Sequence, residues 1–351
     1  MEPINAGPFT LYPFGIATAL LLVPCALIMA RGMKKRGLKR ETASWMAVLS
    51  VPLCFITARI GYCLLIIDQI IETDDYLRVL RVWEGGFLLW GAIAGLLAAA
   101  WITGKATGQR SGKIVDSAVI PACLMIAAIR LLCGLLFTEH GIGFALSNWF
   151  DPEETDYANR FSLWILEDYS FFERFPFAAE DFYGNWCWAV FVPEAAWACV
   201  MAWITSRCKA REGGRTVLFV LLYACSQILW EAMLCSQVIY LPWQGFVKAN
   251  QMLCAAALIT VICISLKKLE KGGRGKAALR CLAQVLPAVG IVVAMEFAAF
   301  EKKITMIETW PADICHLIEA LACLWMGLAA GRLWRKAYAL QDPKGSGKII
   351  Q

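Results

Sequence analysis

Apolar stretches of about 20 residues alternate with short polar loops along this chain, and each stretch is long enough to cross a bilayer as a helix. Roughly nine such runs recur, near 10–30, 44–67, 86–104, 114–137, 187–206, 216–235, 249–266, 281–300 and 314–333. The pattern predicts an all-α membrane protein, a polytopic helical bundle of about nine transmembrane helices. One segment breaks the rhythm. From Glu139 to Asp181 the chain is acidic and aromatic, with Asp151, Glu153, Glu154, Asp156, Glu167 and Asp168 among Trp149, Phe150, Trp164, Tyr169 and Phe171. It is too long for a plain connector and predicts a small head at the membrane interface, where Trp and Tyr are favoured. The bland alternative is an ordinary solvated loop. The organisation expected is four helices in 1–137, a head in 138–185, three helices in 186–266, two additional helices in 267–340, and a tail in 341–351.

Charge orients the bundle. Arg31, Lys34, Lys35, Arg36, Lys39 and Arg40 follow the first run, and Lys105, Arg110 and Lys113 follow the third. Arg207, Lys209, Arg211 and Arg215 follow the fifth, and Lys267, Lys268, Lys271, Arg274, Lys276 and Arg280 the seventh. The tail adds Arg332, Arg335, Lys336, Lys344 and Lys348, while the intervening loops hold few cations. By the positive-inside rule the N-terminus lies outside and the C-terminus in the cytoplasm, so the head is extracytoplasmic. Basic residues follow the first run rather than precede it, which argues against a cleavable signal peptide. The setting expected is a bacterial cytoplasmic (inner) membrane, crossed many times.

Composition agrees. The chain is 59% apolar with 15 tryptophans, and its mean hydropathy is +0.58, more apolar than a soluble domain of this length tolerates. The net charge of +5 comes from the basic loops and favours membrane lipids with anionic headgroups, not nucleic acid. The 15 cysteines lie mostly inside the runs and show no paired metal-site spacing, so they read as small buried apolar residues. No cofactor and no metal is expected.

Two cations sit deep inside apolar runs, Arg59 and Arg130. A guanidinium at bilayer depth costs at least about 2.5–3.5 kcal/mol, so each needs a partner or a wet cavity. Acids within or at the edge of runs are Asp116, Glu194, Glu231, Glu296 and Glu319. The plain reading pairs the arginines with Glu194 and Glu231 to fix helix packing. Asp116 fits equally well as a helix-terminus acid favoured by the macrodipole. Glu296 and Glu319 fit a structural role, pairing with His316 or the headgroup region. Gly85 and Gly86, with Gly91 and Gly95 one turn apart, permit close approach of a helix or a lipid, a signal common in membrane helices.

In order along the chain, these stretches resemble the prolipoprotein diacylglyceryl transferase family. Its opening form G-P-x-x-I-R-W-Y-G is echoed by Gly7-Pro8-Phe9-Thr10-Leu11-Tyr12-Pro13-Phe14-Gly15, and A-R-x-G-Y by Ala58-Arg59-Ile60-Gly61-Tyr62. W-x-G-G-x-x-x-H-G-G is echoed by Trp83-Glu84-Gly85-Gly86-Phe87-Leu88-Leu89-Trp90-Gly91-Ala92. Asp116, Pro121 and Arg130 follow the family's aspartate, proline and signature arginine; Glu194 matches the acid of Y-E-A; Glu231 matches the sixth-span acid; Asn250-Gln251 stands for Gly-Gln. The likeness covers about 1–266, and the last two runs lie beyond the family's seven spans. The resemblance implies transfer of a diacylglyceryl group from phosphatidylglycerol to the lipobox cysteine of a prolipoprotein signal peptide. It implies catalytic roles among Arg130, Glu194, Glu231 and Glu139, and substrate contacts from Arg59, Tyr62, Gly85, Gly86, Gly91 and Gln251.

The departures fall on chemistry. The family's first-span tyrosine aligns with Phe14, its histidine with Trp90, its signature asparagine with Cys133, and its second arginine with Gln227; Glu139 is one residue out of register with the signature glutamate. Transfer requires a phosphate held, a cysteine made a thiolate, and a leaving glycerol phosphate stabilised. Arginine suits the first and last because its planar fork binds phosphate bidentately. The base then has to be Glu194, Glu231 or Glu139. A non-catalytic lipid-binding relative is the alternative, and an unrelated transporter the third reading; paired broken helices would mark the latter.

Overall fold

The computed structural model describes residues 4–6, 9–11, 13–82, 86–137, 176–180, 186–233, 240–241, 244–269, 271–299 and 312–338. In these residues the helices are α1 (Pro13–Lys35), α2 (Arg40–Leu65), the short α3 (Ile67–Glu72), α4 (Leu89–Thr107), α5 (Ser111–Phe137), α6 (Phe191–Arg207), α7 (Gly214–Met233), α8 (Ala249–Lys268), α9 (Lys271–Ala299) and α10 (Ala312–Tyr338). A long helix stands at each apolar run. Eight of them are long and apolar enough to cross a membrane; α6, with 17 residues, is the short one. Helix α9 begins at Lys271, well ahead of the run at 281. Pro24, Pro52, Pro121 and Pro287 lie inside helices. Membrane helices tolerate this where neighbours satisfy the freed backbone groups.

Helix is not the whole of it. Three antiparallel hairpins precede helices: β1 (Ile4–Ala6) with β2 (Phe9–Leu11) before α1, β3 (Ala178–Glu180) with β4 (Trp186–Trp188) before α6, and β5 (Tyr240–Leu241) with β6 (Gln244–Lys248) before α8. Strands of two to five residues carry too little period-2 signal to be read from sequence. Of the expected head, the described part is 176–180, the turn at 176–177 and strand β3; its partner β4 lies just past the expected boundary at 185. The remaining acidic and aromatic residues, Glu139 included, and the tail at 341–351 lie outside the described residues.

Among the described residues, three of the buried clusters are linked. One joins Met29 and Met33 of α1, Met46 of α2, Ala99 and Ala100 of α4, and Ile114 of α5. A second joins Cys123 and Ile126 of α5, Ala198 and Met201 of α6, and Phe219 and Tyr223 of α7. A third joins Leu221 and Cys225 of α7, Cys254 and Leu258 of α8, Val285 of α9, and Met326 and Leu333 of α10. So α5 and α7 each serve two cores, and the last two helices share a core with α7 and α8. Lipid tails are as apolar as leucine, so helix contacts rest on close packing and interhelical hydrogen bonds. The α2–α4 pair shows both. A Cβ on Gly91 would lie 2.3 Å from the Thr57 carbonyl oxygen, and one on Gly95 2.6 Å from that of Leu53. Thr57 Oγ1 donates to the Gly91 carbonyl at 2.7 Å.

At the basic-loop end, Asp116 caps α7 from α5. It accepts from Gly213 N (3.0 Å), Thr216 N (3.0 Å) and Thr216 Oγ1 (2.8 Å), groups at a helix start that lack intrahelical partners. Arg36 Nη1 lies 3.8 Å from its carboxylate. Burial and nearby Arg215 pull the Arg36 guanidinium below its ordinary value, and Asp116 opposes them. Trp334 Nε1 donates to Gly214 O at 2.9 Å, tying α10 to the same end.

Candidate functional site

The site is built where α5, α6 and α7 meet. Gly134 sets the approach. A Cβ there would lie 2.2 Å from the Phe191 ring, so only glycine lets the start of α6 close against α5. One turn back from Gly134 is Arg130; one turn on from Phe191 is Glu194. The close approach therefore sets them opposite one another, and Arg130 Nε lies 3.3 Å from Glu194 Oε2. The glutamate side chain is 4% exposed and the arginine 20%. Together they line a cavity with Trp197, Tyr223, Ser226, Gln227 and Trp230. Its volume is about 10 Å³, room for roughly one water. One buried donor faces this region without a hydrogen bond among the described residues, Trp197 Nε1, while the Gln227 amide is directed at the Glu194 carboxylate. An N–H so left costs about 1–3 kcal/mol, and a ligand oxygen would recover it. The cavity therefore offers one fixed cation, one carboxylate and neutral donors in a low-dielectric setting.

Glu231 is placed differently. Its Oε2 accepts from Asn250 Nδ2 at 2.7 Å, and Asn250 Oδ1 accepts from Trp90 Nε1 at 2.9 Å. The Trp90 ring meets Tyr223 edge-on at 5.3 Å, so this chain of contacts backs one wall of the cavity without entering it. Gln251 donates to Ile228 O at 3.3 Å and to Glu296.

Arg59 belongs to another region. It is 5% exposed, and its guanidinium donates to Val79 O (3.2 Å), Gly86 O (3.2 Å), Arg81 O (3.0 Å) and Arg78 O. It thus organises the turn after α3. Tyr62 packs over Gly86, whose φ of +76° and 2.3 Å Cβ approach to the Tyr62 ring admit no side chain. Gly91 spends its small size on α2. None of Arg59, Tyr62, Gly86, Gly91 or Gln251 lines the Arg130 cavity. Gly85 and Glu139, and the side chains of Phe14 and Cys133, lie outside the described residues. Sequence reasoning brought Arg130, Glu194 and Gln227 to notice. It passed over Trp197, one turn after Glu194, and Tyr223, Ser226 and Trp230, which on sequence alone look like any apolar or small residue of a span. Glu296 and Glu319 do sit in polar company: Glu296 Oε2 is 3.2 Å from Lys248 Nζ, and Glu319 Oε2 is 3.0 Å from His316 Nδ1.

Among the described residues, eight helices apolar enough to cross a membrane, with an arginine–glutamate cavity where α5, α6 and α7 meet, are those of a polytopic helical membrane protein. The profile of the prolipoprotein diacylglyceryl transferase family matches residues 3–266, and the chain belongs to that family. Its relatives include proteins named phosphatidylglycerol–prolipoprotein diacylglyceryl transferase. That of Halalkalibacterium halodurans is 30% identical over 126 residues, 36% of this chain and 43% of the relative. That of Chloroherpeton thalassium is 25% identical over 194 residues, 53% of this chain and 69% of the relative. That of Paenarthrobacter aurescens is 24% identical over 277 residues, 75% of this chain and 81% of the relative. The chain thus spans less than half the length of the first of these.

Proposed function

We propose that the chain is a transferase of lipoprotein biosynthesis, moving a diacylglyceryl group from phosphatidylglycerol to the cysteine of a prolipoprotein signal peptide. The observation that carries this reading is the Arg130–Glu194 pair on a shared cavity, within the region matched by the family. Arg130 has five N–H donors, enough to hold a phosphate while keeping contact with Glu194. A phosphate competing for the guanidinium weakens the ion pair and leaves Glu194 to accept the thiol proton. The thiolate sulfur then attacks the glyceryl carbon bonded to the phosphate oxygen. The carbon–oxygen bond breaks, the electron pair leaves on glycerol phosphate, and Arg130 stabilises that charge. Glu194 returns its proton to the leaving group. The cavity is smaller than a headgroup, so the walls on α6 and α7 must part to admit one.

The reading carries a topology. Nine spans place the N-terminus outside and the C-terminus in the cytoplasm, the basic loops on the cytoplasmic side of a bacterial inner membrane, and 138–185 on the outer face. Residues 267–340 add two helices to a family core, and neither cofactor nor nucleic acid takes part. Cysteines introduced at 150–170 should react with an impermeant thiol reagent in intact cells. Labelling only after lysis would overturn the orientation.

The test of activity uses purified protein with phosphatidylglycerol and a lipobox peptide, alongside complementation of a strain lacking its own transferase. The parent should transfer lipid, Arg130→Ala should neither bind phosphatidylglycerol nor transfer, and Arg130→Lys should recover binding only in part, since a point charge lacks the fork. A second reading, a lipid-binding relative without turnover, draws on Gln227 at the second arginine position and on Trp90, whose indole is engaged with Asn250. It predicts headgroup binding with no transfer at any protein concentration.

A further inference from the structure

We propose that Glu296, on α9 beyond the region matched by the family, is a positioning residue that clamps the C-terminal end of α7 and so holds the α7 wall of the Arg130 cavity.

Each oxygen of the Glu296 carboxylate holds one donor. Oε2 accepts from Lys248 Nζ at 3.2 Å, and Oε1 accepts from Gln251 Nε2. Both donors also reach backbone carbonyls of α7: Lys248 Nζ lies 3.4 Å from Glu231 O, and Gln251 Nε2 3.3 Å from Ile228 O. The Glu231 carbonyl is among the last four of its helix, which lack intrahelical partners, and a cation there complements the negative end of the helix dipole. Asn250, between the two donors in sequence, grips the same helix end through the Glu231 carboxylate at 2.7 Å. The clamp is buried, with Lys248 9% and Glu296 17% exposed, and the His316–Glu319 pair of α10 stands beside it.

The clamp acts on the cavity because the held turns adjoin it. Ser226, Gln227 and Trp230, on the same last turns of α7, line the cavity. Without the carboxylate, Lys248 and Gln251 lose the acceptor they share, and with it the contact that ties both to α9 while they reach α7. A neutral amide at 296 keeps one acceptor oxygen and puts an NH2 group where the other oxygen was, so one of the two donors faces a donor in place of its acceptor. The appended helices are then part of the working site, which rests on the function proposed above for its lipid readout alone.

The test compares the purified full chain with its variants by hydrogen exchange over 226–233 and by phosphatidylglycerol binding in mixed micelles. Glu296→Gln should raise exchange in that segment by on the order of tenfold and weaken lipid binding, while exchange in α2 and α4 stays at the parent level. The charge swap Lys248→Glu with Glu296→Lys rebuilds the ion pair, but a carboxylate at 248 has no proton for the Glu231 carbonyl. Exchange should therefore remain fast. If Glu296→Gln fails to fold, Glu296→Asp keeps the charge and loses the reach to both donors, and should show a smaller rise. Parent-level exchange in every folded variant, or its recovery in the charge swap, would overturn the clamp. A parent that transfers no lipid defeats the proposed activity, while the exchange comparison still decides the clamp.

Discussion

Arg59 and Arg130 are the same residue type, each within an apolar helix, yet their surroundings differ. Arg59 on α2 is wrapped by the turn after α3 and donates to four backbone carbonyls. Its guanidinium holds the backbone between α3 and α4. Arg130 on α5 faces a carboxylate at 3.3 Å and a cavity bordered by neutral donors. The guanidinium of the first is taken up by backbone carbonyls; in the proposed function the second faces the cavity that holds the lipid headgroup. A buried charge therefore marks a functional site only when its neighbourhood leaves something to bind.

The sharpest break of that contrast is Arg59→Met. It strips donors from four carbonyls and should cost at least about 3 kcal/mol, so little folded protein should reach the membrane fraction. Arg130→Gln should accumulate near the parent level, since Glu194 left alone can take up a proton. Equal loss of both variants would erase the distinction. Next in size, Glu194→Gln should retain phosphatidylglycerol binding while the transfer rate falls about 10²–10⁴-fold, the usual contribution of a positioned base. A rate unchanged in steady-state assays would remove Glu194 from the chemistry. Gly91→Ala should lower stability by about 1–3 kcal/mol in thermal unfolding, because its Cβ would lie 2.3 Å from the Thr57 carbonyl oxygen. Gly290→Ala on α9 is the control, with nothing within 4 Å of its Cβ, and should leave the melting curve in place. The smallest effect is expected from Asp116→Asn, which weakens the cap on α7 and the attraction to Arg36 by about 0.5–2 kcal/mol. Lipid binding at the far end of the bundle should not change.

Much of the architecture was legible in advance. Each apolar run became a helix, and the residues that flank Arg130 in space were partly named from motif order. The hairpins were not legible, because two or three paired residues leave no periodic trace. Nor was the division between the two arginines. Arg59 sat in the better-preserved motif, and sequence placed it with the substrate contacts, whereas the carbonyls that surround it come from residues 78–86, with no side-chain signature to read. Glu231 likewise looked as apt a base as Glu194 until Asn250, on a separate helix, was seen bonded to it.

By itself the sequence determined what depends on composition and spacing: which segments are apolar enough to be helices in a bilayer, which loops are basic, and which few charges sit inside the runs. These follow from transfer free energies of individual residues, which act locally along the chain. Only the tertiary structure decided which buried charges meet. That depends on how closely helices approach, and here the approach is set by positions such as Gly134 against Phe191 and Gly91 against Thr57. The Arg130–Glu194 contact joins residues on helices separated by the whole acidic segment, and the Glu296 contacts join the family core to helices outside it. Packing between helices is a property of matched surfaces, so no single stretch of chain encodes it.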